Sequence, residues 1–317
     1  MPAYLLAVLF IYVYEIWTMV ILLQAEKHST SQMTYAQWKS GAKYLAAFGI
    51  GLAIAPANVF APIGAAKLAP HRAVYEMSLD DTRPAAGISS VQGRMVFDFA
   101  GSGCDGYTMN MRMVTRVQAQ TGRSSISDLR SSTWEHGAGK LYRFNNSHYL
   151  GRSLEESTSG DARRSDSDGH VDVRISVPQE KIVKVEGPVL FPTQHSMAIL
   201  AAARMGNKLL QARVFDGSSK SDKVYSTTTF IGKRLAPGVK RPAKRVANDK
   251  MLDELDSWRV SISYFDSADK IEELPAYQLS FRLYNNGISR ELQIDYGDFV
   301  IKGELSSLEI GPLPDCE

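Results

Sequence analysis

The stretch GRMVFDFAGSGCDGYTMNMRM, residues 93–113, decides the fold. Gly93, Met95, Phe97 and Phe99 alternate with Arg94, Val96 and Asp98, and after a glycine-rich break Tyr107, Met109, Met111 and Met113 alternate with Thr108, Asn110 and Arg112. A period of two places one set on a buried face and the other towards solvent, the mark of half-buried β-strands. Gly101-Ser102-Gly103 between them reads as the turn. The same alternation recurs upstream, where Tyr75, Met77 and Leu79 oppose Glu76, Ser78 and Asp80. It recurs downstream, where Val171, Val173, Ile175 and Val177 oppose Asp172, Arg174 and Ser176.

Further along, Asp216-Gly217 lies between Leu209–Phe215 and Val224–Ile231 and suggests a hairpin. Asn285-Asn286-Gly287 and Gly297-Asp298 divide 277–284, 288–296 and 299–305, so with 258–265 the last third reads as a four-stranded antiparallel meander. The spacing predicts one main helix, with Thr193 as its N-cap, His195 to Met205 as its body, Gly206 as its stop, and a core stripe of Met197, Leu200, Ala201 and Met205. Glu155–Gly169 and Leu235–Asp256 are polar and charge-rich and read as exposed loops. The total is about a dozen strands and one helix. An open sheet of that size curls or closes, so the expected architecture is all-β: one large, highly curved, barrel-like antiparallel sheet with the helix in or against its mouth.

The N-terminal region reads differently. Residues 4–23 are apolar and long enough to span a bilayer, but Glu15 interrupts them and no Lys or Arg precedes them. After Met33, Lys39 and Lys43 precede an apolar run, Tyr44–Ile54, and then Ala55-Pro56-Ala57 and Val59-Phe60-Ala61, which together form the pattern of an export signal. The expectation is a signal peptide over 33–61 and a single domain over 62–317. Residues 1–32 are then an upstream extension or, alternatively, an N-terminal membrane segment. Either way the domain lies outside the cytoplasm, and with the signal peptide removed the mature chain does not span the membrane.

Composition and motifs narrow the function. The 317 residues are 44% hydrophobic and 22% charged with a formal charge of +2, so no global field draws the chain to nucleic acid. The two cysteines are Cys104 and Cys316. In an oxidising compartment they most simply pair, and a loop of about 200 residues gives a stabilisation of roughly 5 kcal/mol in the loop-entropy account. A redox-active thiol is the alternative, although the close Cys-x-x-Cys spacing is absent. No nucleophile elbow, metalloprotease helix, phosphate loop or dinucleotide fingerprint is present, so no catalytic, cofactor-binding or metal residue is assigned. His170 after Asp166-Ser167-Asp168-Gly169 lacks the ligand ladder of a calcium loop, and Asp295 with Asp298 reads as turn chemistry. Lys240, Arg241, Lys244 and Arg245 offer a basic contact for an anionic envelope polymer.

A resemblance adds to this reading. Leu68-Ala69-Pro70-His71-Arg72-Ala73-Val74-Tyr75, Gly93-Arg94-Met95-Val96-Phe97 and Cys104-Asp105-Gly106-Tyr107-Thr108 open the domain, and Glu273-Leu274-Pro275, Asn286-Gly287-Ile288-Ser289-Arg290 and Asp295-Tyr296-Gly297-Asp298-Phe299 close it. Together they resemble the EipB-type cell-envelope integrity family of Gram-negative bacteria, over about residues 67–317. The resemblance implies a periplasmic β-spiral, or broken barrel, closed by a disulfide between Cys104 and Cys316. It also implies a part in keeping the envelope intact under stress, with no established catalytic residues. The long N-terminal extension departs from the pattern.

Three functions compete. The first is a non-catalytic factor that binds an envelope or periplasmic protein, such as a helical-repeat adaptor, with sheet edges open to strand addition. The second is a carrier or sensor of a lipid or other amphiphile, with Met109, Met111 and Met113 as an adaptable lining. The third is a hydrolase of envelope polymers. A membrane-embedded barrel is disfavoured by Arg94, Arg112 and Arg174 on the faces opposite the core.

Overall fold

Fourteen strands form one antiparallel sheet in the computed structural model, which describes residues 67–83, 86–218, 223–239, 246–266 and 274–312. The export signal, the extension before it, the basic cluster at 240–245 and Cys316 fall outside the described residues. No helix among the described residues is long and apolar enough to cross a membrane.

The chain builds the sheet in two walks. Strands β1 (His71–Thr82), β2 (Ile88–Ser102), β3 (Gly106–Ala119), β4 (Ser124–Glu135), β5 (Leu141–Leu150), β6 (Ser153–Arg164), β7 (Val171–Val177) and β8 (Lys181–Val185) pair successively outward. Helix α1 (Pro192–Arg204) then carries the chain to the opposite edge. From there β9 (Leu209–Val214), β10 (Tyr225–Ile231), β11 (Ser257–Asp266), β12 (Tyr277–Tyr284), β13 (Ser289–Asp295) and β14 (Phe299–Ile310) walk back until β14 lies beside β1. The edges are therefore β8 and β9, and the sheet is not closed by a ladder between them.

The edges nevertheless approach. Leu190, just beyond β8, bridges in parallel to Val214: its N–H donates to Arg213 O at 2.8 Å and its carbonyl accepts from Phe215 N–H at 3.0 Å. The segment after β9 then folds onto the concave face of β5 and β6. Tyr142 Oη donates to Asp216 O at 2.8 Å, and Asn146 Nδ2 and Thr158 Oγ1 donate to Gly217 O at 2.7 and 2.8 Å. Gly217 is needed there, because its φ is +67° and a Cβ would sit 2.3 Å from Phe144 Cγ. One end of the sheet thus wraps over the other: the architecture is the highly curved sheet with one main helix expected from the strand count, in the open spiral form that the resemblance implies.

The inward-facing sets make three cores. Tyr75, Met77, Met113, Leu292, Ile301 and Leu305 fill the centre around the β1–β14 seam. Met197, Ile199 and Leu200 of α1 pack with Phe99, Tyr107, Trp258 and Val260 at one end of the spiral. Tyr142, Phe144, Val171, Val173, Phe191 and Phe215 join β5–β8 to the overlapping segment.

Several expectations shift. Glu155–Gly169 is not a loop: β6 occupies Ser153–Arg164 and only the segment after it turns. Its composition hid it, because pairing to β5 and β7 satisfies the backbone while Thr158 and Ala162 are its only fully buried side chains. Leu235–Asp256 contains a 3-10 helix, Asp249–Glu254. The first turn is tighter than read: β2 runs through Gly101 and Ser102, and Ser102 Oγ accepts the N–H groups of Cys104 and Asp105. Helix α1 starts at Pro192 with Phe191 as N-cap, not Thr193. Met197 and Leu200 are buried as read, but Ala201 is only half-buried and Met205 is 65% exposed. Met205 is already the C-cap, and Gly206 and Asn207 close a Schellman turn by donating to Ala203 O and Ala202 O.

Candidate functional site

Residues with chemical potential gather on the concave face and at the lip of the spiral. One deeply placed carboxylate is Glu135, 2% exposed at the end of β4. Its Oε2 accepts the N–H of Thr193 at 2.7 Å and its Oε1 that of Gln194 at 3.0 Å. A residue nearly sixty positions upstream therefore supplies the cap that Phe191 cannot, at the end of the helix where the dipole favours an anion. Arg164 braces the junction by donating to Val189 O at 2.7 Å, Gln194 Oε1 at 3.1 Å and Gly139 O at 3.1 Å, with its guanidinium 5.0 Å over the Phe191 ring. Burial pushes the Glu135 carboxyl up to about 7 against the lowering effect of these donors. Both carboxylate oxygens are committed to fastening the helix.

On the same face Ser127 Oγ and His148 Nε2 lie 2.9 Å apart, and His148 faces Glu156 across β5 and β6. Burial lowers the His148 pKa against the raising effect of Glu156. A serine, an imidazole and a carboxylate on three adjacent strands have the residue types of a hydrolytic triad. The setting does not supply the rest: β4 is paired on both sides, so its N–H groups belong to the ladder and offer no oxyanion site. His195 of α1 is buried as well, 3.4 Å from Thr227 Oγ1, with its pKa lowered by burial to about 4. Across β10–β12, Tyr264 and Tyr277 stack at 4.4 Å with Tyr225 edge-on to both, and Lys223 pairs with Asp266 beside them.

The residues singled out in the sequence are dispersed. Cys104 sits in the β2–β3 turn. His170 lies between Asp168 and Asp172 in the β6–β7 connection, and among the described residues no group of three or more His, Cys, Asp or Glu is placed to hold a metal. Asp295 accepts the Gly297 N–H at 2.7 Å and is a turn residue. Met109, Met111 and Met113 do face inward together, with Met113 buried and the other two half-buried. Glu135, Ser127 and His148 carry no sequence signal, because register and curvature alone bring them to their partners.

These features belong to a known architecture. The EipB-like family model matches residues 62–312. The chain belongs to the EipB-like family. It is 38% identical over 246 residues to the cell envelope integrity protein EipB of Brucella abortus (strain 2308), an alignment covering 78% of this chain and 85% of that protein. A crystal structure of a β-barrel-like protein of a domain of unknown function, also from Brucella abortus, matches with a TM-score of 0.71 and 37% identity over 78% of this chain and 99% of that one. The EipB relative is named for the integrity of the envelope and not for a reaction.

Proposed function

We propose that this EipB-like chain is an exported, non-catalytic periplasmic factor that supports cell-envelope integrity by binding a partner protein. The observation that carries the reading is the uncovered edge of the spiral. Among the described residues β8 is laddered to β7 alone, and Ile182 on it is 69% exposed. An extended segment of an envelope protein, or of a helical-repeat adaptor, could add to that edge by backbone pairing. The name of the EipB relative supports the envelope role. The commitment of Glu135 to capping and the missing oxyanion donors near Ser127 favour binding over catalysis.

The proposal includes a Cys104–Cys316 disulfide. Ile310 ends β14 opposite His71, and His71 lies opposite Phe99, five residues before Cys104. Six residues of extended chain reach about 20 Å, and two strand spacings are about 10 Å. The test is complementation of a deletion strain challenged with detergent and cell-wall antibiotics. Residues 33–317 should restore survival; a version lacking the export signal should not, and Cys104→Ser should restore it only in part. Full rescue by the chain without its signal would overturn the periplasmic reading.

A second reading, a carrier of an amphiphile, is favoured by one observation. Met95, Phe97, Met109, Met111 and Phe281 face the concavity yet remain half-buried. Native mass spectrometry of protein purified from envelope extracts should then show a lipid adduct at near-stoichiometric occupancy; only unliganded protein would remove this reading.

A further inference from the structure

The convex face of β3–β6 has a composition that folding alone does not call for. Strands favour β-branched and aromatic residues, and Asn is depleted in them. Here Asn110 faces Ser132, Ser132 faces Asn145 and Asn145 faces Ser159, an unbroken row of amides and hydroxyls across four strands. The next row is Arg112, Arg130, Ser147 and Ser157. Between the rows lies a shallow hollow of about 330 Å³ lined by Asn110, Arg112, Arg130, Ser132, Asn145 and Ser147, with Asp98 at its margin.

Its hydrogen-bonding capacity is largely unspent. Ser132 Oγ donates to Asn110 Oδ1 at 2.6 Å, which leaves the Asn110 amide donors facing outward from that bond. The Asn145 amide and Ser147 hydroxyl make no hydrogen bond among the described residues. Both guanidiniums grip one carboxylate: Arg112 reaches Asp128 at 2.9 and 2.8 Å, and Arg130 reaches it at 2.7 Å. One carboxylate against two cations leaves a net positive charge, and Asp98 is balanced by Arg72 at 3.2 Å.

Aromatic rings stand at both ends of this surface. Trp134 follows Ser132 on the same face, with Arg143 stacked 5.5 Å from its ring, and Tyr149 follows Ser147 with Arg130 at 4.8 Å. Both rings are half-buried. Trp134 lies opposite Arg143, and Tyr149 is six residues further along β5, so the rings are about 20 Å apart.

We propose that this convex surface binds an acidic glycan chain. Amides and hydroxyls match the donor and acceptor edges of sugar rings, aromatic faces cover their apolar C–H faces, and the surplus guanidinium charge meets a carboxylate. The separation of the rings suits an extended run of several sugars and not a single small ligand. The hollow lies on β3–β5 and uses none of the β8 edge residues, so the inference is tested separately from the protein-binding reading.

The test is calorimetric titration of purified residues 62–317 with a hexameric alginate oligosaccharide, which carries one carboxylate per ring, and with neutral isomaltohexaose. Saturable binding of the acidic hexamer is expected, at least tenfold tighter than the neutral one. Trp134→Ala and Asn145→Ala should each weaken it about tenfold or more, and Asn145→Ala, at an exposed position, should do so with no shift in melting temperature. No binding of alginate, equal binding of the neutral hexamer, or affinity untouched by both Trp134→Ala and Asn145→Ala would overturn the proposal.

Discussion

Replacing Asp249 by alanine is expected to destabilise the domain by about 3–5 kcal/mol, the range for removing one partner of a buried ion pair. The Asp249 side chain is 1% exposed and that of Arg290 5%, and Asp249 Oδ2 accepts from Arg290 Nη1 at 3.0 Å. The same oxygen accepts the Val246 N–H at 3.0 Å, so the carboxylate fastens the 3-10 helix to β13 as well as neutralising the arginine. Alanine leaves a guanidinium in the core without its counter-charge. Adding Arg290→Met should recover much of the loss, because an apolar pair of similar volume removes both the charge and the need for a partner. Urea denaturation of the two variants measures both effects; a single-variant loss below about 1 kcal/mol would contradict the buried-pair account.

Glu135→Ala is the second large effect, with an expected loss of about 2–4 kcal/mol from two helix N–H groups left without an acceptor. The more diagnostic variant is Glu135→Gln. The carboxyl titrates near 7 in the fold against an ordinary value of 4.5. The folded state therefore holds its proton more tightly than the unfolded chain, and the associated stability is fully present below about pH 4.5 and lost as pH rises through about 7. The upper bound of that loss is on the order of 3 kcal/mol. Glutamine keeps an acceptor and cannot titrate, so its melting temperature should gain on that of the wild type as pH rises from 5 to 8. Parallel profiles for the two proteins would show that Glu135 is not the titrating group.

Both predictions rest on contacts that the sequence does not display, and the reason is physical. Period-two alternation depends only on which face each residue takes, so β1, β2, β3 and the C-terminal meander were legible from Tyr75, Phe97, Met111 and their neighbours. The family resemblance was carried by turn-and-strand pieces of the same kind. β6 was not legible, because a strand paired on both sides with a solvated outer face can be built from Ser, Glu and Asp. The helix start is marked locally by Pro192 and by Gln194, whose Oε1 accepts the Phe191 N–H, but the acceptor for the Thr193 and Gln194 N–H groups comes from distant Glu135, which local rules do not search. Ser127 and His148 likewise meet through strand register, and the overlap at Gly217 through curvature. The convex row of Asn110, Ser132, Asn145 and Ser159 became visible as a surface only when β3 to β6 were laid side by side.

The position of β14 next to β1 has a topological consequence. Every other neighbouring pair in the sheet is consecutive along the chain; this one joins residues more than two hundred positions apart, as with His71 and Ile310. Read as a circle and opened instead between β8 and β9, the same order becomes a plain serpentine in which each strand follows its neighbour. The long-range seam is thus a matter of where the polypeptide is cut, not of the shape it adopts. It places the last of the described strands near the middle of the sheet, so the β1 side of the ladder has no second partner until that strand has arrived.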